Sequence, residues 1–152
     1  MAYALPHHRR DGAPAPRLRV LVADDDEINR RVLSHILFAL NHEVRAVSSG
    51  LQVIKELANG SYDVLFLDLH MPDMGGLEAT RFILSMWKPR ERPLIVALTA
   101  DDPQSGRESC LDVGMDAFLS KPVGIDCVRA ILDGIVQFPR YPRGTEAETP
   151  QV

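Results

Sequence analysis

The sequence has few cysteines, no long apolar stretch and only a small excess of negative charge. Cys110 and Cys127 form no CxxC pair, so they suit neither a disulfide framework nor a zinc site, and we expect both to be core thiols. The longest uncharged stretches, such as residues 32–42, fall well short of the roughly 18 apolar residues of a membrane span, and no apolar signal segment opens the sequence. A net charge of -4 gives no general attraction to nucleic acid. These absences predict a cytoplasmic protein with no membrane span and no nucleic-acid partner.

The composition is that of a globular domain. The 152 residues are 45% hydrophobic and 25% charged, which is enough apolar material for one core of ordinary size. Six of the 11 prolines lie in the first 17 and the last 15 residues, where no apolar period is visible. We therefore predict flexible tails at residues 1–17 and 138–152 around one domain at residues 18–137.

Within this domain, apolar runs alternate with segments of helical spacing. The runs VLFL and LIVAL have no polar alternation, as expected for strands whose two faces are both covered by helices. Five such units predict an α/β fold, a doubly wound parallel sheet of five strands in the flavodoxin-like order 2-1-3-4-5. The predicted strands are LRVLVA, EVRAV, DVLFLD, LIVAL and AFL, and the predicted helices are residues 27–40, 51–58, 76–87, 104–114 and 125–136.

The first predicted helix carries an apolar stripe. Ile28 and Val32 begin a row that recurs every four residues, and Leu33 and Leu37 fill the adjacent row. We expect this broad stripe to lie on the sheet. Asp26 stands where a residue that caps the helix N-terminus belongs.

Polar residues follow four of the five predicted strands. The first strand runs into Asp24, Asp25 and Asp26, and the third ends in Asp68. Thr99 and Ala100 end the fourth strand, and Lys121 and Pro122 follow the fifth. The carboxyl ends of parallel strands share one edge of the sheet, so these groups should meet there. Crowded carboxylates recruit a cation, and oxygen ligands favour Mg²⁺, which also binds phosphate oxygens.

The residues resemble a known family at this point. The elements VADDDEIN, FLDLHMPDMGG, ALTA and FLSKP occur in the order typical of the receiver (response regulator, CheY-like) domains of two-component signalling. The resemblance covers about 120 residues, the whole predicted domain. Each element alone is weak evidence for the family, but the four elements together are strong evidence.

The resemblance implies a metal site and a phosphoacceptor. Asp24 and Asp25 match the acidic pair that holds the metal, and Asp68 matches the phosphoacceptor aspartate. His70 matches a position whose backbone carbonyl usually completes the metal site. Met74–Gly76 departs from the common Met-Asp-Gly, which implies a more mobile loop.

The same resemblance implies a switch beside the phosphoryl group. Thr99 matches the switch hydroxyl, Ala100 the small residue that leaves room for phosphate, and Lys121 the lysine that pairs with it. The bond from Lys121 to Pro122 is cis in the family. Phe118 replaces a frequent tyrosine, so its ring could still turn inward on activation but offers no hydroxyl to a partner.

The resemblance also implies partners. The stretches EINRR, RPLIVALTA and GMDAFLSKP resemble receivers from hybrid sensor histidine kinases more than those of transcription regulators. Such a receiver exchanges phosphate with a sensor histidine kinase or a histidine-containing phosphotransfer protein. It catalyses only its own phosphorylation and dephosphorylation, and is not otherwise an enzyme.

Three other functions stay open at this stage. A small phosphatase could use Asp68 as its nucleophile. Haloacid-dehalogenase-like enzymes, however, carry an acidic residue two positions after the nucleophile, where this chain has His70. A flavin-binding protein would need a phosphate loop rich in Ser, Thr and Gly, and the corresponding loop here is DDDEIN. A receiver-like module that binds partners without phosphorylation would normally have lost an acid or the lysine.

Overall fold

The computed structural model describes residues 16–100 and 103–137. In these ranges five strands alternate with five helices, as predicted, and every element ends within one residue of its expected bounds. The predicted tails fall almost entirely outside the described residues. The elements are β1 (Arg19–Ala23), α1 (Glu27–Ala39), β2 (Glu43–Val47), α2 (Gly50–Asn59), β3 (Val64–Asp68), α3 (Gly76–Met86), β4 (Leu94–Thr99), α4 (Pro103–Val113), β5 (Ala117–Ser120) and α5 (Ile125–Gln137).

All strands are parallel and form one sheet in the order β2-β1-β3-β4-β5, which confirms the doubly wound prediction. Ala23 at the end of β1 pairs with Leu67 of β3, and Asp68 pairs with Leu98 of β4. The residues that follow these strands therefore start from one edge of the sheet. In the described part of the chain, no helix is long and apolar enough to cross a bilayer.

Helices cover both faces of the sheet and create two apolar cores. On one face, side chains of α2, α3 and α4 pack against inward residues such as Leu65 and Ile95. On the other face, α1 and α5 pack against Phe66 and Val96. Every residue of β3 and β4 is buried, which explains why these strands carry no polar alternation.

Two expectations about burial are wrong, for the same geometric reason. Leu33 and Leu37 of α1 are buried, but Ile28 and Val32 are 71% and 49% exposed. Successive residues of a helix lie about 100° apart, so a helix on a sheet buries one row and leaves the neighbouring row at the margin. Cys127 is likewise exposed, because it precedes the inward Val128 of α5 by one position, whereas Cys110 is buried as expected.

Candidate functional site

The loop between β1 and α1 places three consecutive aspartates at the sheet edge. Asp26 is the N-cap of α1, and its Oδ1 accepts hydrogen bonds from the backbone N–H groups of Ile28 and Asn29 at 2.8 and 3.1 Å. Asp24 is 1% exposed, and its Oδ1 accepts from the Asp26 N–H at 2.9 Å. One aspartate thus starts the helix, which leaves Asp24 and exposed Asp25 for the site.

Asp68 ends β3 beside this loop. It is 4% exposed, and its Oδ1 accepts the backbone N–H of His70 at 3.1 Å. One carboxylate oxygen from each of Asp24, Asp25 and Asp68 lies within 4.8 Å of the others. The cluster predicted from the strand ends is therefore formed, and all its ligand atoms are oxygens.

Lys121 neutralises part of this negative charge. Its Nζ lies 2.9 Å from Asp24 Oδ2 and 3.3 Å from Asp68 Oδ2, so a single ammonium contacts both buried carboxylates. A backbone hydrogen bond also links Lys121 to β4. The Lys121 N–H donates to the Thr99 carbonyl at 2.8 Å, and the Lys121–Pro122 peptide bond is cis.

Burial and charge shift the protonation of this cluster. Burial raises the pKa of the Asp68 carboxyl from 3.8 to about 6. The His70 N–H lowers that pKa, the negative charge of Asp24 raises it, and Lys121 lowers it. Burial alone would lower the pKa of Lys121, but its contacts with Asp24 and Asp68 outweigh burial and raise it. At pH 7 Lys121 is therefore an ammonium and Asp68 is mainly a carboxylate whose charged form is disfavoured by burial.

The loop after β3 requires a glycine beneath Asp68. A Cβ at Gly76 would overlap the backbone carbonyl of Asp68 and lie 2.9 Å from the Leu69 Cα, so only glycine lets α3 begin this close. The neighbouring Gly75 is the N-cap of α3 and provides no side-chain cap. His70 is exposed, and in the described ranges its imidazole is not among the clustered ligand atoms.

The remaining predicted residues belong to β4, to β5 and to the loop after β4. Thr99 is buried at the end of β4, and Ala100 is exposed directly after it. Phe118 of β5 pairs with Ala97 of β4 and is half-buried against the core. The structure therefore brings Lys121 into contact with Asp24 and Asp68, and places Thr99 on β4, Ala100 directly after it and Phe118 on β5.

The sequence reasoning missed two residues that touch this site. Arg30 of α1 donates from Nη1 to the backbone carbonyl of Asp24 at 2.7 Å. Gly106 of α4 is buried, and a Cβ there would lie 3.2 Å from the Thr99 Oγ1. Neither residue type signals such a contact by itself. Only the position of Arg30 one turn after the N-cap could have indicated a side chain able to reach the loop.

An acidic cluster and a lysine at the carboxyl edge of a five-stranded parallel sheet define a class of small α/β domains that carry one polar site at the switch point. Residues 20–133 match the family model for the response regulator receiver domain. The chain belongs to this family. It is a receiver domain of the two-component phosphorelay type, and the family is one of signalling domains and not in itself of enzymes.

Curated relatives include several hybrid histidine kinases. The chain is 41% identical over 110 residues to hybrid signal transduction histidine kinase L of Dictyostelium discoideum, which covers 69% of this chain and 6% of the relative. It is 34% identical over 122 residues to the aerobic respiration control sensor protein ArcB of Escherichia coli (strain K12), which covers 80% of this chain and 16% of the relative. The chain therefore spans only a small part of the length of these relatives.

Solved structures share the fold. The receiver domain of sensor histidine kinase PA1611 from Pseudomonas aeruginosa PAO1 matches with a TM-score of 0.72 and 31% identity, covering 80% of this chain and 99% of that one. In that protein a magnesium ion is coordinated in the active site cleft. A second match is the co-crystal structure of the Saccharomyces cerevisiae histidine phosphotransfer signaling protein Ypd1 and the receiver domain of its downstream response regulator Ssk1. The TM-score is 0.68 and the identity 25%, and the match covers 77% of this chain and 87% of that one.

Proposed function

We propose that this domain, residues 18–137, receives a phosphoryl group on Asp68. The observation that carries the proposal is the meeting of three carboxylates within 4.8 Å, two of them contacted by one ammonium. Such a site suits the binding of a negatively charged phosphoryl group, whose charge a bound cation neutralises on one side and the Lys121 ammonium on the other. Asp68 is the acceptor because it ends the central strand β3 and lies beside both the acidic loop and Lys121.

The donor set of the cluster fits Mg²⁺. Its ligands are carboxylate oxygens, which are hard donors, and exposed Asp25 leaves the site open for water and phosphate oxygens. Asp24, Asp25, Asp68 and the backbone carbonyl of His70 would hold the ion. When bound, Mg²⁺ would neutralise oxygens of the incoming phosphoryl group.

The chemistry is an in-line transfer to a carboxylate. A carboxylate oxygen of Asp68 attacks phosphorus, and an O–P bond forms as the N–P bond of a phosphohistidine breaks. The donor imidazole leaves with the electron pair. Lys121 and Thr99 donate hydrogen bonds to phosphoryl oxygens, and Ala100 leaves room for the group. Hydrolysis of the resulting acyl phosphate returns Asp68 to its free form.

A switch passes this event to the far side of the domain. The Thr99 hydroxyl turns toward the phosphoryl group, and Phe118 turns into the space left beside β5. The packing of Gly106 against Thr99 supports this route, because movement of Thr99 must alter its contact with α4. The surface that changes is the one made by α4, β5 and α5.

The partners we propose are a sensor histidine kinase and a histidine-containing phosphotransfer protein, acting in the cytoplasm. The exposed Ile28 and Val32 support a docking site beside the acids, since Val32 also lines a small groove with Asp24, Lys121 and Pro122. Ile28→Ser should slow transfer from a phosphorylated partner several-fold without changing phosphorylation by acetyl phosphate. Phe38→Ser, at the other end of α1 and 74% exposed, is the matched control and should change neither rate.

Intact mass measurement after incubation with acetyl phosphate tests the acceptor function. We expect one added phosphate that requires Mg²⁺ and is removed by hydroxylamine, as an acyl phosphate is. Asp68→Asn should abolish it, whereas Asp73→Asn, an exposed acid in the following loop, should not. Labelling that persists in Asp68→Asn, or that proceeds equally well without Mg²⁺, would refute the proposal.

A further inference from the structure

Arg30 reaches back from α1 to the acidic loop. It lies one helical turn after Asp26, and its own N–H donates to the Asp26 carbonyl at 3.0 Å. Its Nη1 donates to the backbone carbonyl of Asp24 at 2.7 Å, and the residue is half-buried. The next residue, Arg31, is exposed. Of two adjacent arginines, one thus holds the backbone of the site and the other faces solvent.

The bonded carbonyl belongs to the peptide unit that joins Asp24 to Asp25. A planar peptide unit turns as one body, so its rotation changes the φ angle of Asp25 and redirects the Asp25 side chain. Asp24 has other anchors, since its N–H donates to the Val47 carbonyl at 3.2 Å and its carboxylate contacts Lys121. Asp25 itself is exposed, and of the two peptide units that flank it, one is held by the Asp26 N–H bond to Asp24 Oδ1 and the other by Arg30.

We propose that Arg30 is a positioning residue of the cation site: by fixing the peptide unit between Asp24 and Asp25, it aims the Asp25 carboxylate at the cluster. This inference rests on the proposed function of the cluster as a Mg²⁺ site. Hydrogen bonds from a charged donor are roughly twice as strong as neutral ones. Loss of a contact that orients a metal ligand typically weakens metal binding about 10–100-fold.

Charge and positioning predict opposite signs for the same substitution. Arg30 is a cation near the carboxylates, so removal of its charge alone would strengthen binding of another cation. Loss of positioning would weaken that binding. The direction of the change therefore separates the two roles.

Titration calorimetry with Mg²⁺ on the full chain tests the proposal. We expect Arg30→Met to bind Mg²⁺ about tenfold more weakly than the natural protein, and Arg31→Met, the matched control, to stay within about twofold. In the metal-free proteins, the backbone amide resonances of Asp25 and Asp26 should shift in Arg30→Met and not in Arg31→Met. Unchanged or tighter binding in Arg30→Met, or an equal loss in Arg31→Met, would overturn the proposal.

Two further variants keep the result decisive. Arg30→Lys retains a charge and a donor, so it should bind Mg²⁺ more tightly than Arg30→Met, and equal or weaker binding would contradict positioning. If Arg30→Met does not fold, Arg30→Gln replaces it and is judged by the same direction of change. Failure of the natural protein to bind Mg²⁺ would refute the proposed cation site itself, whereas normal binding with no effect at Arg30 would refute only this inference.

Discussion

Replacement of Asp68 by asparagine should stabilise the metal-free protein at pH 7. Asp68 is 4% exposed, and burial raises its pKa from 3.8 to about 6. Each pH unit of pKa difference corresponds to about 1.36 kcal/mol, so the ionised carboxylate costs the fold up to about 3 kcal/mol relative to its neutral form. Asparagine has nearly the same shape, is always neutral and can still accept the His70 N–H, although its amide nitrogen would then face the Lys121 ammonium, which offsets part of the gain. We therefore expect a gain of about 1 to 3 kcal/mol in the free energy of unfolding.

The gain should depend on pH in a defined direction. Because the pKa of Asp68 is higher in the folded protein than in the unfolded chain, the folded state binds this proton more tightly. The folded protein therefore loses stability from this group as the pH rises from about 3.8 to about 6, and no more above that range. The advantage of Asp68→Asn should be absent near the lower value, grow across the range and stay constant above it.

Urea unfolding followed by fluorescence measures this difference, since Trp87 is the single tryptophan and packs against the core. The control is Asp73→Asn, which lies in the following loop, is exposed and has a φ of 68° that asparagine adopts readily. It should change stability by less than about 0.5 kcal/mol at every pH. Added Mg²⁺ should reduce the difference between Asp68→Asn and the natural protein. A variant that is less stable than the natural protein at pH 7 would refute the reasoning.

Three other expectations test separate parts of the structure. With beryllofluoride and Mg²⁺, Thr99→Ala should still bind the phosphate mimic while NMR shifts around Phe118 shrink, and full-size shifts there would contradict the switch. Asp26→Ala should cost about 1 kcal/mol in the free energy of unfolding, because it removes two capping hydrogen bonds of α1, and an unchanged urea midpoint would contradict that cap. Cys127 should react with a thiol reagent in the folded protein and Cys110 only after unfolding, so rapid reaction of both thiols would contradict the assigned burial.

The element order and the acidic cluster could be predicted because each leaves a local signal. The apolar runs VLFL and LIVAL indicate strands buried on both faces. Asp24 and Asp25 directly follow β1, and Asp68 is the last residue of β3. Parallel strands end at a common edge, so sequence position alone brings these acids together.

The errors concern which side of a helix faces inward. Val32 and Leu33 are adjacent apolar residues of α1, but only Leu33 is buried, because successive helix positions lie about 100° apart and the sheet covers only one of the two. Cys127 and Val128 on α5 repeat this case. The pattern of apolar residues predicts how wide the apolar stripe of a helix is, but not which of its residues contact the sheet.

The contacts of Arg30 and Gly106 could not be predicted because each depends on tertiary distances. From the sequence alone, Arg30 looks like an ordinary solvent-exposed helix residue. The structure places its guanidinium 2.7 Å from the Asp24 carbonyl. From the sequence alone, Gly106 is a residue that destabilises a helix. The structure shows that α4 packs at this glycine against the Thr99 side chain.

The most direct test of the central claim is to identify the residue that carries the phosphate. Borohydride reduces an aspartyl phosphate to homoserine, and peptide mass spectrometry after acetyl phosphate and Mg²⁺ treatment locates the reduced position. We predict homoserine at position 68 alone, with none formed when Mg²⁺ is withheld. Homoserine at position 24 or 25, or none at position 68, would contradict the claim that the acidic cluster serves Asp68 as phosphoacceptor.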